Sequence, residues 1–166
     1  MEVPTGALVR RFGAGRVEVD EADARYARVR VRADLTVEVG FSGIFRMFGA
    51  LIDTQWVAKR GSPVDGGGAT ELEYRFDKGA FVTKRGSGSD LARRLGDRRT
   101  TSLATKAELK KIEVVDTPEG RLVTIVPLPG TITAMYFPPL PPYTVPIRPE
   151  EADDQLSLLL HLVDLD

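Results

Sequence analysis

Residues 27 to 41 alternate between apolar and polar side chains, and this alternation constrains the fold more than any other feature of the chain. The odd-numbered positions hold the apolar residues Ala27, Val29, Val31, Ala33, Leu35, Val37, Val39 and Phe41. Arginine, aspartate, threonine and glutamate residues lie between them as far as position 38. A period of two places one face of an extended chain in the core and the other in water. The segment therefore predicts β-structure with one buried face.

The length of this segment leaves its topology open. One strand over residues 27–41 would run to roughly 50 Å at about 3.3 Å per residue, well above the usual strand length. A hairpin that turns at Ala33 and Asp34 is the alternative. A two-residue loop sets Arg32 opposite Leu35 and mixes the two faces. A three-residue loop restores the faces but requires a left-handed backbone at Leu35, which usually falls to glycine. We therefore predict one long, bent strand.

The apolar period changes after residue 41. A helical spacing of i, i+3, i+4 and i+7 fits Phe41, Ile44, Phe45, Phe48, Leu51 and Ile52. Gly43 and Gly49 each weaken a helix by up to about 1 kcal/mol relative to alanine. A short amphipathic helix and an irregular apolar loop are therefore both open here. The following residues, 53 to 60, predict a strand around Trp56.

The sequence of the middle of the chain predicts two hairpins separated by two short helices. Residues 61–68 are rich in glycine and predict a loop, and residues 71–83 predict the first hairpin. A basic helix is expected from Leu91 to Arg99, with Ser89 or Asp90 as its cap. A second helix is expected from Thr105 to Lys111, because Thr105 and Glu108 have capping-box spacing. Residues 112–126 predict the second hairpin, and residues 131–137 another strand.

Proline shapes the last third of the chain. Eight of the eleven prolines lie between Pro127 and Pro149. The run from Pro138 to Pro149 can form neither a helix nor a central strand, so we predict an extended crossing segment. Pro149 suits the first turn of a helix, and the acidic residues that follow it suit the positive end of the helix dipole. Leucines at helical spacing then predict a C-terminal helix that packs on the rest of the fold.

Together these elements predict an α+β fold in a single domain spanning residues 1–166. Its mainly antiparallel sheet has roughly six to eight strands, two short helices interrupt the middle, and the C-terminal helix packs on one sheet face.

Composition narrows the chemistry open to the chain. There is no cysteine, which excludes disulfides, thiolate metal sites and cysteine nucleophiles, and the one histidine is His161. No Gly-x-Ser-x-Gly motif supplies this imidazole with a serine partner. We therefore expect neither a metal nor a cofactor, and an enzyme is the less expected class. No apolar run reaches the roughly 20 residues of a membrane span, and no signal peptide is evident, so we expect a cytoplasmic protein without a membrane partner.

A basic, glycine-rich segment over residues 84–99 is the first candidate site. Its candidate anion-binding residues are Lys84, Arg85, Gly86, Gly88, Arg93 and Arg94. Glycines and amides at a helix start admit phosphate, and flanking cations add charge. The segment lacks the Walker A ending, and Asp90 would repel a phosphate. We favour a plain connection with a solvated arginine face. Nucleic acid is disfavoured, because the sequence pI is about 5.9 and aromatic residues are not interleaved with the basic ones.

Aromatic residues provide the second candidate, an apolar pocket or interface formed by Phe41, Phe45, Phe48 and Trp56. The same residues could simply fill the core, which we favour. The leading functional hypothesis is a non-catalytic binding module for a small apolar molecule or a protein partner, with homo-oligomers open. The alternative is an anion-, nucleotide- or nucleic-acid-binding protein, conceivably an enzyme, that uses residues 84–99.

Overall fold

A computed structural model describes residues 5–13, 17–19, 26–47, 49–61, 69–136 and 139–165. These residues form four helices and ten strands. The helices are α1 (Thr5–Phe12), α2 (Ser89–Leu95), α3 (Arg98–Lys106) and α4 (Pro149–Asp164). The strands are β1 (Val17–Val19), β2 (Tyr26–Arg32), β3 (Leu35–Arg46), β4 (Gly49–Arg60), β5 (Thr70–Arg75), β6 (Ala80–Arg85), β7 (Leu109–Thr117), β8 (Gly120–Pro127), β9 (Ile132–Tyr136) and β10 (Pro139–Thr144).

The strands form one antiparallel sheet in the order β1-β2-β3-β4-β8-β7-β5-β6. Strand β9 also pairs with β4, and β10 pairs with β9. The α+β class and the antiparallel sheet are thus confirmed. The described strands outnumber the predicted six to eight because residues 27–41 divide between β2 and β3 and the proline segment adds β10.

The helices cover one face of this sheet. Apolar residues of all four helices join one core cluster with the inward side chains of the strands, among them Val37, Trp56 and Ile112. Helix α4 contributes most, with Leu156, Leu158, Leu159, Leu162 and Val163 fully buried. Pro149 lies in its first turn, and the Glu151 carboxylate accepts a hydrogen bond of 2.9 Å from the Arg148 amide. The predicted C-terminal helix on one sheet face is therefore confirmed.

The prediction of one bent strand over residues 27–41 is wrong, because the chain turns at Ala33 and Asp34 into a hairpin of β2 and β3. Arg32 pairs with Leu35, which is the register that would mix the two faces. A β-bulge at Val31 then shifts the register by one residue, so that Val29 faces Val37 on the buried side. The bulge reconciles a two-residue loop with a continuous apolar face.

Residues 41–52 form neither the amphipathic helix nor the irregular loop proposed from their spacing. Residues 41–46 and 49–52 belong to a second hairpin, in which β3 and β4 pair over their whole length from Leu35 opposite Arg60 to Arg46 opposite Gly49. Short apolar segments fit the helical period and the strand period alike. Here the pairing of β3 with β4 selects the strand.

The two middle helices exist, but both boundaries differ from the prediction. Helix α2 follows Gly88, and neither Ser89 nor Asp90 caps it. Helix α3 replaces the helix expected from Thr105 to Lys111, because residues 109–117 are strand β7. The cap of α3 is Asp97, whose carboxylate accepts a 2.6 Å hydrogen bond from the Thr100 amide. Burial alone would raise the pKa of Asp97, but this hydrogen bond and the nearby His161 lower it overall.

The remaining predicted elements largely hold. Both hairpins form, as β5–β6 and β7–β8, and the strand around Trp56 lies within β4. The proline run supplies the edge strand β10, which pairs only with β9 among the described residues. Residues 62–68 of the expected glycine-rich loop lie outside the described residues.

Candidate functional site

Strand β4 changes its partner halfway along. Its residues 56–60 pair with β8, whereas residues 49–52 pair with β9. Beyond this fork, residues 41–46 of β3, residues 49–52 of β4 and the strands β9 and β10 form a four-stranded extension of the sheet. We refer to this extension as the arm.

A polar cluster holds the fork in place. The Lys110 ammonium lies 2.6 Å from a carboxylate oxygen of Asp53 and 2.6 Å from the Thr131 hydroxyl oxygen. That hydroxyl lies 3.0 Å from the same Asp53 oxygen and 2.8 Å from the Leu128 carbonyl oxygen. The four residues come from β4, β7 and the segment before β9, so the cluster fixes where β9 replaces β8.

A close backbone approach brings β9 onto the arm. A Cβ atom on Gly49 would lie 2.5 Å from the carbonyl oxygen of Ala134, closer than real side chains permit. Glycine at position 49 therefore allows the two strands to pair at normal spacing.

Exposed apolar side chains concentrate on the arm. Of the ten large hydrophobic residues that are exposed in the described chain, five lie on the arm and Met47 follows at the end of β3; the five are Ile44, Phe45, Met135, Leu140 and Tyr143. The register places Ile44 opposite Leu51, Leu51 opposite Thr133, and Thr133 opposite Tyr143. The side chains of these four residues therefore cross the arm as one row on the face opposite the helices, and Met135 opposite Leu140 belongs to the next row. We refer to Ile44, Leu51, Met135, Leu140 and Tyr143 as the arm patch.

Within the described part of the chain, the outer edge of β3 has no partner strand along the arm. Strand β2 pairs with β3 only as far as Gly40, and no other described residue pairs with residues 41–46 on that side. Exposed edges are normally blocked by proline, by charge or by shortness. Strand β10 carries prolines at 139, 141 and 142, strand β6 ends in Lys84 and Arg85, and β1 has three residues. The six residues Phe41–Arg46 carry no such block except Arg46 at the tip, and we call them the arm edge.

The structure separates the four predicted apolar site residues. Trp56 is fully buried in the core, where its indole N–H donates a 3.0 Å hydrogen bond to the Gln155 side chain. Phe41 is half-buried against the same core, whereas Phe45 is 70% exposed on the arm. Phe48 lies outside the described residues. Trp56 therefore packs in the core, and only Phe45 of the described three presents a large free surface.

The predicted anion-binding residues are mostly engaged elsewhere. The Lys84 ammonium lies 3.0 Å from a Glu73 carboxylate oxygen, with carboxylates of Glu113 and Glu71 within 4 Å, and the hydrogen bond to Glu73 raises the pKa of Lys84. On α2, the exposed Arg93 pairs with Asp90 at 3.2 Å. Arg85 and Arg94 are exposed.

The backbone geometry of this segment requires its two glycines. Gly86 has a φ of +85°, and a Cβ on Gly88 would lie 2.5 Å from the Thr70 side chain and 2.8 Å from that of Leu72. Both glycines are therefore accounted for by the close passage of the chain over β5.

A polar depression on the helix-free face was not found from the sequence. Its volume is about 260 Å³, and it is lined by Arg28, Arg30, Thr36, Glu38 and Lys59. The arginines at alternate positions of β2 were visible in the sequence as the solvent face of a strand. What they face depends on the registers of β3 and β4, which the sequence alone did not supply.

The described residues contain no group of three or more His, Asp or Glu side chains that could hold a metal ion. The His161 Nε2 atom lies 3.6 Å from an Asp97 carboxylate oxygen, where α4 meets the start of α3. None of the described helices is both long and apolar enough to cross a bilayer.

Comparison with known proteins adds no relationship. No family model, no curated protein and no solved structure matches the chain.

Proposed function

We propose that the chain is a non-catalytic protein-binding module whose partner adds an extended strand to the arm edge. The observation that carries this proposal is the edge at Phe41–Arg46, with which no described residue pairs, whereas the edge strands β1, β6 and β10 are short, charged or rich in proline. In strand addition, main-chain hydrogen bonds supply affinity and alternate side chains supply specificity.

The chemistry of the arm defines the partner strand. Side chains of a strand paired to residues 41–46 point alternately to the two sheet faces. On the helix-free face they meet Ile44 and the row of the arm patch behind it, and on the other face they meet Phe45. The fitting partner is therefore an extended, proline-free segment of a protein with apolar side chains on both faces.

The burial of Trp56 favours a protein partner over a small apolar ligand. A pocket for such a ligand was the alternative to a filled core around the aromatic residues, and the Trp56 side chain is fully buried with its N–H bonded to Gln155. The apolar surface that solvent reaches lies instead on the outside of the arm. A flat, exposed surface suits a protein segment better than a small molecule, which needs a concave site.

The test uses a phage-displayed library of linear twelve-residue peptides, selected on the purified chain. We expect the enriched peptides to carry consecutive apolar residues without proline and to shift the backbone amide signals of residues 41–46 in NMR spectra. The variant I44K places a charge on the arm edge and should weaken binding at least tenfold. The matched control is V82K, which changes an exposed apolar residue on the blocked edge strand β6 and should bind as wild type.

Two results decide the proposal. Peptides that bind I44K and wild type equally well would refute strand addition at this edge. Native mass spectrometry of the chain alone adds a second check, because a dimer that I44K dissociates identifies a second copy as an occupant of the edge.

A further inference from the structure

We propose that the polar depression between β2, β3 and β4 binds a small molecule carrying a phosphate or carboxylate group. This site lies on the helix-free face, away from the arm edge, and its argument does not depend on the protein-binding function proposed above.

The charge of the lining residues is the first step. Three cationic side chains and one carboxylate line the depression. The side chain of Glu38 is almost fully buried. One carboxylate oxygen accepts a 2.9 Å hydrogen bond from Arg28 Nε, and the other accepts a 2.9 Å hydrogen bond from Lys59 Nζ. No carboxylate of a described residue lies within ion-pair distance of Arg30. The described lining therefore carries a net charge of +2, from three cations and one anion.

The register places the donors around one point. Arg30 pairs with Thr36, and Thr36 pairs with Lys59, so the three residues form a row across β2, β3 and β4. Directly opposed residues on adjacent strands lie about 5 Å apart and point to the same face. An oxyanion above the Thr36 hydroxyl is therefore within reach of a guanidinium on one side and an ammonium on the other.

Glu38 lies beside this row without filling it. It uses both of its oxygens on Arg28 and Lys59, and the ammonium of Lys59 retains further N–H donors for a ligand. Charged hydrogen bonds to a planar guanidinium are the usual means of holding carboxylate and phosphate groups.

The size of the depression limits the ligand. Pockets for drug-sized ligands usually span about 300–1,000 Å³, and this one has about 260 Å³. No aromatic residue is among the described lining, which therefore offers no surface on which a base could stack. The ligand that fits this depression is thus a small phosphorylated or carboxylated metabolite rather than a nucleotide.

The test is a titration followed by amide NMR at a constant ionic strength of about 0.15 M, with chloride replaced by inorganic phosphate or by citrate. We expect saturable shifts at residues 28–38 and 57–60. Tighter binding of phosphate identifies a phosphate site, and tighter binding of citrate a carboxylate site. Absence of saturable shifts with both anions would overturn the proposal.

Two variants locate the site. R30Q removes a cation that has no described ion-pair partner, so the fold is retained, and we expect at least a tenfold weaker affinity. The matched control R94Q removes an exposed arginine on α2, within the rival basic segment 84–99, and should leave the affinity unchanged. Weakening by R94Q but not by R30Q would assign the anion to that segment and overturn the proposal.

A third variant separates binding from folding. E38Q removes the carboxylate that competes for Arg28 and Lys59, so we expect it to tighten phosphate binding at least threefold. A purely structural role of Glu38 predicts the opposite, since loss of its two ion pairs would loosen the depression. Weaker binding by a folded E38Q variant would therefore contradict the geometry proposed for this site.

Discussion

Asp116 and Arg121 form a buried ion pair that ties the C-terminal helix to the sheet. They lie opposite each other in the β7–β8 hairpin, with N–O distances of 2.7 and 2.9 Å and side chains only 6% and 4% exposed. The same guanidinium donates to the carbonyl oxygen of Leu162, at 3.2 Å, and to that of Leu165. Leu162 lies in the last turn of α4 and Leu165 is its C-cap, where peptide oxygens lack partners within the helix.

Replacing Asp116 by alanine should be strongly destabilising. The substitution leaves a guanidinium buried without its carboxylate, which typically costs about 3–5 kcal/mol. For a chain of this size, each kcal/mol lowers the melting temperature by about 2–4 °C, so we expect D116A to melt roughly 6–20 °C below wild type. Thermal and urea-induced unfolding, followed by circular dichroism, measure both quantities.

The chain contains a matched control in the exposed pair of Arg75 and Asp77. It has the same two-pronged geometry, with N–O distances of 3.1 and 3.4 Å, but its side chains are 52% and 58% exposed. Water screens such a pair, so D77A should unfold at the same urea concentration as wild type.

A double variant tests whether the unpaired buried charge is what destabilises D116A. Replacing both buried partners, as in D116L/R121M, removes the unpaired charge and should recover part of the stability lost by D116A. Recovery is incomplete because the carbonyls of Leu162 and Leu165 also lose their donor. A D116A variant that loses less than about 1 kcal/mol would refute the reasoning, since the pair would then behave as a solvated one.

Three further predictions follow from single contacts. W56F leaves the buried Gln155 side chain without its partner and should cost at least about 1–3 kcal/mol in urea unfolding, whereas an unchanged midpoint would contradict the buried hydrogen bond. G49A forces β9 away and should speed hydrogen exchange of arm amides, while the control G43A meets only side-chain atoms and should not. Because the pKa of Asp97 is lowered in the folded state, its stabilisation is present above its usual pKa of 3.8 and is lost as the pH falls through the lower folded value. Unfolding measured against pH should therefore show an acid decline that D97N reduces, and an unreduced decline would assign it to other carboxylates.

Local patterns predicted those elements whose partners are close in sequence. The β7–β8 hairpin follows from a turn motif between two alternating segments, and α4 from Pro149 and its leucines. The β2–β3 hairpin was missed because regular loops alone were considered, and the bulge at Val31 is a third solution. Residues 41–52 were missed because their spacing fits helix and strand alike. Pairing of β3 with β4, and of β4 with β9 some 80 residues later, distinguishes the two.

The candidate sites were harder to predict than the fold. Phe45 and Trp56 were grouped in one candidate site, yet one lies on the arm and the other in the core. The difference arises from where the helices end over the sheet, which no local pattern encodes. The depression around Arg30 likewise requires two strand registers at once.

The fork in β4 also sets an order of events during synthesis. Both strands that complete β4, β8 and β9, lie 60 or more residues further along the chain. At about 5–20 residues per second, the ribosome takes roughly 4–15 s to pass from residue 60 to residue 136. Throughout that interval the β3–β4 hairpin presents an unpaired side along β4, with Trp56 not yet covered by α4. The nascent chain is therefore most exposed to mispairing and to chaperone capture in its first half, until the last third emerges and closes both branches of the sheet.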